Sequence, residues 1–202
     1  MASQARGEAG GRVSVVLLGH SYVRRLGEYM SESDDRMNLG LRNVTVHCEA
    51  VGGATLGPTV GRRRDKCIRR LLPAVAAHQP DVIFVHIGEN DLGRMPPGRI
   101  ATELLDLVTE LANLSRSRVV IVGQLICFPA TEHLYPRSVQ HINSTLRRQM
   151  PAGHAFWNHR CCFSRRSGNF LRDNVHLNKH GMRRYWKSVR TAVGRVLLRT
   201  QR

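Results

Sequence analysis

Val13-Ser14-Val15-Val16-Leu17-Leu18-Gly19-His20-Ser21 runs from an almost unbroken apolar stretch into a glycine and then a hydroxyl. A short continuous apolar run rich in β-branched residues reads as a strand covered on both faces, and glycine ends it. Three further runs repeat the pattern. Val44-Thr45-Val46-His47-Cys48 leads to Gly52-Gly53, Val82-Ile83-Phe84-Val85-His86-Ile87 leads to Gly88, and Val119-Val120-Ile121-Val122 leads to a turn-rich stretch through Pro129 and Pro136. His154-Ala155-Phe156-Trp157 supplies a fifth, shorter strand.

Helical spacing fills the gaps. Ile100, Leu104, Leu105, Val108, Leu111 and Leu114 form one stripe after Pro96-Pro97, and Val139, Ile142 and Leu146 form another that stops at Pro151. Tyr185, Val189, Val193, Val196 and Leu197 mark a long C-terminal helix, with Asn178 as its N-cap. Residues 59–78 are also expected to be helical, with Pro73 interrupting or kinking them. Strands alternating with helix-length crossovers give an α/β chain with a five-stranded, mostly parallel, doubly wound sheet. Residues 1–11 are expected to form a flexible N-terminal segment and residues 12–199 a single domain.

Composition narrows the class. The 202 residues suit one domain with a sizeable core, and a hydrophobic share of 42% argues against disorder over most of the length. No apolar run approaches the ~20 residues of a membrane span, and no signal-peptide core follows the polar first dozen residues, so cytosol or nucleus is the expected compartment. The five cysteines, Cys48, Cys67, Cys127, Cys161 and Cys162, fit neither a disulfide framework nor a CxxC metal site and read as free thiols. Net charge is +16, nearly all from arginine. Charge of this size favours polyanions through phosphate neutralisation and counterion release. The triplet Arg62, Arg63 and Arg64 is the candidate nucleic-acid patch, although no RNP aromatics, zinc-finger spacing or basic-zipper heptads accompany it.

The chemistry sits where the strands end. In open α/β sheets ligands gather beyond the carboxyl ends of the strands, and Ser21, Gly53 and Asn90 all fall there. Taken alone, a serine at that place is an ordinary helix cap, Gly53 a turn glycine and Asn90 an Asx-turn. Together with Asp173-Asn174-Val175-His176 they assemble a different inventory. Ser21 is the hydroxyl nucleophile, His176 the imidazole that takes its proton, and Asp173 the carboxylate that fixes the imidazole. The Ser21 amide, the Gly53 amide and the Asn90 side chain are the oxyanion donors. His20 is not expected to act as the base, because side chains of sequence neighbours tend to point apart.

These blocks resemble those of the SGNH (GDSL-type) hydrolases. Ser21 matches the first block, Gly53 in Gly52-Gly53-Ala54-Thr55 the second, Asn90 in Gly88-Glu89-Asn90-Asp91 the third, and Asp173 and His176 in Asp173-Asn174-Val175-His176-Leu177-Asn178 the fifth. The resemblance spans about residues 13–195 and implies the SGNH hydrolase fold, a flavodoxin-like three-layer sandwich, with ester hydrolysis through an acyl-enzyme and no metal or organic cofactor. One position departs: the family usually carries aspartate before the nucleophile, and this chain carries His20. The arginine-rich composition and Gly-His-Ser first block also resemble SGNH domains carried by some animal retroelements, which fits the basic charge.

Two functions follow as expectations. The first is a serine esterase acting on a small acyl ester, of acetyl or lipid type. The second is a non-catalytic, arginine-rich nucleic-acid-binding protein on the same scaffold. Acyl chain, alcohol and oligomeric state are not encoded in any readable pattern.

Overall fold

The structure, a computed structural model, describes residues 12–58, 66–114, 119–129, 134–159 and 168–200. The expected N-terminal segment, Arg62 to Arg64, Cys161 and Cys162 lie outside the described residues.

Five strands, β1 (Val13–Gly19), β2 (Val44–Ala50), β3 (Val82–His86), β4 (Val119–Gly123) and β5 (Ala155–Trp157), form one sheet in the order β2-β1-β3-β4-β5. Every neighbouring pair is parallel. Successive side chains of a strand point to opposite faces, and β1 shows the consequence. Val15 and Leu17 enter one core with α1 (Ser21–Ser31) and α5 (Lys179–Thr200). Val16 and Leu18 enter the other, with α2 (Leu72–Ala77), α3 (Pro97–Leu114) and α4 (Leu134–Gln149). Leu17 and Leu18 are fully buried, each worth about 1.5–3 kcal/mol of transfer free energy. An all-apolar strand is therefore required at this place, because both of its faces are interior.

The expected strands are all present, with ends shifted by one or two residues. Two helical readings change. The buried face of α3 uses Ile100, Ala101, Leu104, Leu107, Val108 and Leu111, whereas Leu105 is half-buried and Leu114 exposed. Of the helix expected over residues 59–78, residues 59–65 lie outside the described residues, and in the remainder Pro73 does not kink a continuous helix. A 3₁₀ turn at Ile68–Leu71 feeds α2, and Pro73 lies in its first turn, where the missing N–H has no intrahelical acceptor to lose. Asn178 caps α5 as expected, its Oδ1 accepting the Gly181 N–H at 2.9 Å.

The strand order reverses between β1 and β3, since the chain leaves β1 outward to β2 and returns to the other side as β3. Such a reversal opens a crevice at the carboxyl ends of the two strands. Gly19 ends β1 there, in register with His86 at the end of β3. A Cβ on Gly19 would stand 2.3 Å from the His86 carbonyl oxygen, so only glycine lets the strands stay paired to this point.

Candidate active site

At the crevice, α1 starts immediately after β1. His20 is its N-cap, in extended conformation, and its Nδ1 accepts the Tyr22 N–H at 3.3 Å. Ser21 is the first helical residue, partly buried, with its amide among the first-turn N–H groups that have no intrahelical acceptor. Its hydroxyl lies 3.5 Å from His20 Nδ1. The expectation that residues 20 and 21 point apart is thus overturned: the cap geometry turns the imidazole back over the first turn, toward the hydroxyl.

The loop after β2 carries Gly53 at φ +73°, a left-handed conformation that favours glycine. It is tied to the loop after β3 by two sets of bonds. Asn90 Nδ2 donates to the Ala54 carbonyl at 2.8 Å, using one of its two amide hydrogens. Both carboxylate oxygens of buried Asp91 accept the Leu56 N–H at 3.1 Å. Lys66 Nζ donates to the Gly52 carbonyl at 2.9 Å, placing a cation beside the same loop. Sequence reasoning missed Asp91 and Lys66. Asp91 stands within a motif already singled out, but its partner is 35 residues away.

Asp173 and His176 sit on the loop before α5. Asn174, in the left-handed region at φ +56°, folds the segment back so that Asp173 Oδ1 accepts the N–H groups of Val175 and His176, each at 2.9 Å. Asp173 Oδ2 pairs with His176 Nδ1 at 2.8 Å. The carboxylate thereby selects the tautomer with the proton on Nδ1 and leaves the Nε2 lone pair for a donor. Partial burial would raise the Asp173 pKa, but the bonds from the His176 backbone, the His176 ring and the Val175 backbone outweigh it and bring it to about 2. Tyr22 joins this loop to α1, its hydroxyl donating to the Val175 carbonyl at 2.6 Å. The residue after Ser21 is therefore bonded to the residue before His176. No hydrogen bond joins Ser21 to His176 among the described residues; in an unliganded site such bonds are often long and close only on substrate.

Beneath the hydroxyl lies a network that the sequence did not announce. Glu89 is buried, with Oε2 bonded to His20 Nε2 at 2.9 Å and Oε1 to His86 Nε2 at 2.8 Å. Oε1 also accepts the Ile126 N–H at 2.9 Å, and His86 Nδ1 meets the Tyr185 hydroxyl at 2.7 Å. Burial alone would raise the Glu89 pKa; electrostatic attraction to His86 and His20 and the hydrogen bonds from their rings outweigh it and hold the group ionised, well below the usual range. Ligand atoms of His20, His86 and Glu89 lie within 4.8 Å of one another, close enough to share a metal ion, but direct imidazole–carboxylate bonds occupy those atoms.

A parallel 2-1-3-4-5 sheet with hydroxyl, glycine, asparagine and histidine blocks at its carboxyl edge defines an SGNH-type α/β hydrolase. The chain belongs to the GDSL-like lipase/acylhydrolase family, whose family model matches residues 9–184, and is thereby a carboxylic ester hydrolase. Solved structures agree on the fold. A carbohydrate acetylesterase from Sinorhizobium meliloti superposes with TM-score 0.69 at 16% identity, over 91% of this chain and 99% of that one. A psychrotrophic esterase from Pseudoalteromonas sp. gives 0.61 at 16% identity, over 90% and 98%. A carbohydrate esterase family 3 protein from Talaromyces cellulolyticus gives 0.61 at 17% identity, over 91% and 97%. No curated protein matches the chain in sequence. No helix among the described residues is long and apolar enough to cross a membrane.

Proposed function

We propose that the chain hydrolyses small acyl esters, of acetyl or lipid type, through an acyl-enzyme on Ser21. The Ser21 hydroxyl attacks the ester carbonyl carbon while His176 Nε2 takes its proton, and Asp173 steadies the imidazolium that forms. The Ser21 amide, the Gly53 amide and the second Asn90 amide hydrogen hold the oxyanion. His176 then returns the proton to the departing alcohol. Water, deprotonated by the same imidazole, attacks the acyl carbonyl and frees Ser21. The observation that carries this reading is the Asp173–His176 pair, bonded in the base-competent tautomer and tethered through Val175 to Tyr22.

Hydrolysis of p-nitrophenyl acetate and butyrate tests it. Ser21→Ala and His176→Ala are expected to lower kcat by at least about 10²-fold, and Asn90→Ala by about 10²–10³-fold. A fluorophosphonate probe should label Ser21 in the folded protein. Unlabelled Ser21, with full activity in Ser21→Ala, would sink the reading.

One observation favours nucleic-acid binding as a second activity. Helix α5 carries Lys179, Arg183, Arg184, Lys187, Arg190, Arg195 and Arg199 and no acidic residue. Three of these, Arg184, Lys187 and Arg195, line a groove of about 400 Å³ with Trp157, His159 and Ser188. A cationic groove with an aromatic wall suits a phosphate backbone with a stacked base. Binding of single-stranded RNA should weaken steeply with salt. The triple change of Arg184, Lys187 and Arg195 to serine should flatten that slope by up to about three, while Ser21→Ala leaves it unchanged. An unaltered slope in the triple variant removes this groove from consideration.

A further inference from the structure

We propose that His20 is a second imidazole acceptor for the Ser21 proton, working from the buried side of the nucleophile while His176 works from the solvent side. The inference rests on the esterase reading above and deepens it. Three observations carry it. His20 Nε2 faces the Glu89 carboxylate at 2.9 Å, and a carboxylate with no proton can only accept, so Nε2 holds the hydrogen. The Tyr22 N–H points at His20 Nδ1 at 3.3 Å, and a backbone N–H can only donate, so Nδ1 holds a lone pair. The Ser21 hydroxyl lies 3.5 Å from that same Nδ1. Both neighbours fix one tautomer, with its single free lone pair shared between the helix cap and the nucleophile. A shared lone pair also accounts for two contacts that are both long by hydrogen-bond standards.

The arrangement is therefore a hydroxyl, an imidazole and a carboxylate in line: Ser21 Oγ, His20 Nδ1 and Nε2, Glu89 Oε2. When Ser21 Oγ bonds to an electrophile, its proton passes to Nδ1 and His20 becomes an imidazolium. That cation is neutralised at once by Glu89, whose other oxygen is held by His86 and the Ile126 amide. The proton goes back to the leaving group, and the Tyr22 N–H recovers its acceptor. The cap bond must be given up during the step, so His20 is the slower of the two acceptors. Its burial at 3% exposure also keeps it from reaching bulk water to exchange the proton. The buried imidazole is thus suited to forming a bond at Ser21 and poorly suited to activating the water that breaks it.

Fluorophosphonate labelling isolates that first bond, since Ser21 Oγ joins phosphorus, fluoride leaves and the serine proton must find an acceptor. Labelling rates are measured in wild type, His176→Ala, and His176→Ala with His20→Asn. Asparagine keeps an acceptor for the Tyr22 cap but has no basic nitrogen and no second nitrogen to meet Glu89. The expected result is residual labelling of Ser21 in His176→Ala that falls by at least about tenfold further when His20→Asn is added. Equal residual rates in the single and double variants, with matching melting curves, overturn the proposal, as does complete loss of labelling in His176→Ala alone.

Should the double variant fail to fold, nitrogen NMR of the unaltered protein with labelled histidines decides instead. His20 is expected to show a protonated Nε2 and an unprotonated Nδ1, and the Nδ1 resonance is expected to move in Ser21→Ala. A proton on Nδ1 overturns the proposal, because that nitrogen then has no lone pair to offer. Failure of the esterase reading has its own signature: wild-type activity and labelling retained in Ser21→Ala. In that event the present proposal falls with it.

Discussion

The structure holds two imidazole–carboxylate pairs, His20–Glu89 beside the Ser21 hydroxyl and His176–Asp173 on the loop that Tyr22 clasps, and they are built in opposite ways. His20–Glu89 is buried at the end of the two central strands, with side-chain exposures of 4% and 2%, and its partners come from residues 69 apart in sequence. His176–Asp173 is local, three residues apart, on a loop where the aspartate is 45% exposed. The first is held by its surroundings; the second holds itself, through the Asx-type turn that Asp173 makes with two backbone amides. A buried charge must be fully paired to be tolerated, so the inner pair is expected to matter for folding as much as for chemistry. An exposed pair gains little stability from its charge, so the outer pair is expected to matter for chemistry almost alone.

The strongest way to break this contrast is at Asp173. Asp173→Asn should lower kcat on p-nitrophenyl acetate by about 10²–10⁴-fold, because the amide permits the wrong His176 tautomer, while the thermal midpoint stays within a degree or two of wild type. A parallel fall in stability would make the outer pair structural. The inner pair should behave in reverse. Glu89→Ala leaves two buried imidazoles and the Ile126 N–H without their acceptor and should cost about 3–5 kcal/mol in urea unfolding. Asp173→Ala in the same assay should cost under about 1 kcal/mol.

Acid titration sharpens the comparison with a smaller effect. Asp173 is depressed to about 2 from an ordinary 3.8, so its contribution to stability is present above about pH 4 and lost as pH falls through 2. Asp91, the acid that ties the loop after β3 to the loop after β2, is displaced the other way. Burial raises it to about 6 against the Leu56 and Gly57 amides and Arg94. Its folded form binds the proton more tightly than its unfolded form, so its contribution is complete below about pH 4 and disappears as pH rises through 6. Wild type should therefore lose up to about 3 kcal/mol more than Asp91→Asn between pH 4 and pH 7, read from urea midpoints. Equal losses would show that Asp91 is ionised throughout.

The same contrast explains what was legible beforehand. Strands β1, β3 and β4 are written as continuous apolar runs because both of their faces are interior, and no tertiary knowledge is needed to see them. Ser21, Gly53, Asn90, Asp173 and His176 stand out as candidates because each lies in a short block at a predictable strand end or turn. The inner network was not legible, although Glu89 lies inside the block that marked Asn90. Its partners His20 and His86 come together only when β1 and β3 pair, and an isolated histidine carries no sign of the acid it will meet. Pro73 was misread for a related reason: a proline that breaks a long helix and one that starts a short helix look alike until the helix's beginning is known. Leu107 and Leu105 differ by half a turn of α3, and choosing between them required the position of the sheet.

The hydrogen bond from Tyr22 to Val175 has an implication for how the chain matures. It spans 153 residues and clasps the start of the first helix to the loop entering the last. During synthesis the two ends of this clasp are made well apart in time, Tyr22 first and Val175 153 residues later. On the mechanism proposed above, a polypeptide that lacks the second loop would carry Ser21 without Asp173 and His176, so ester cleavage would report that the clasp has closed.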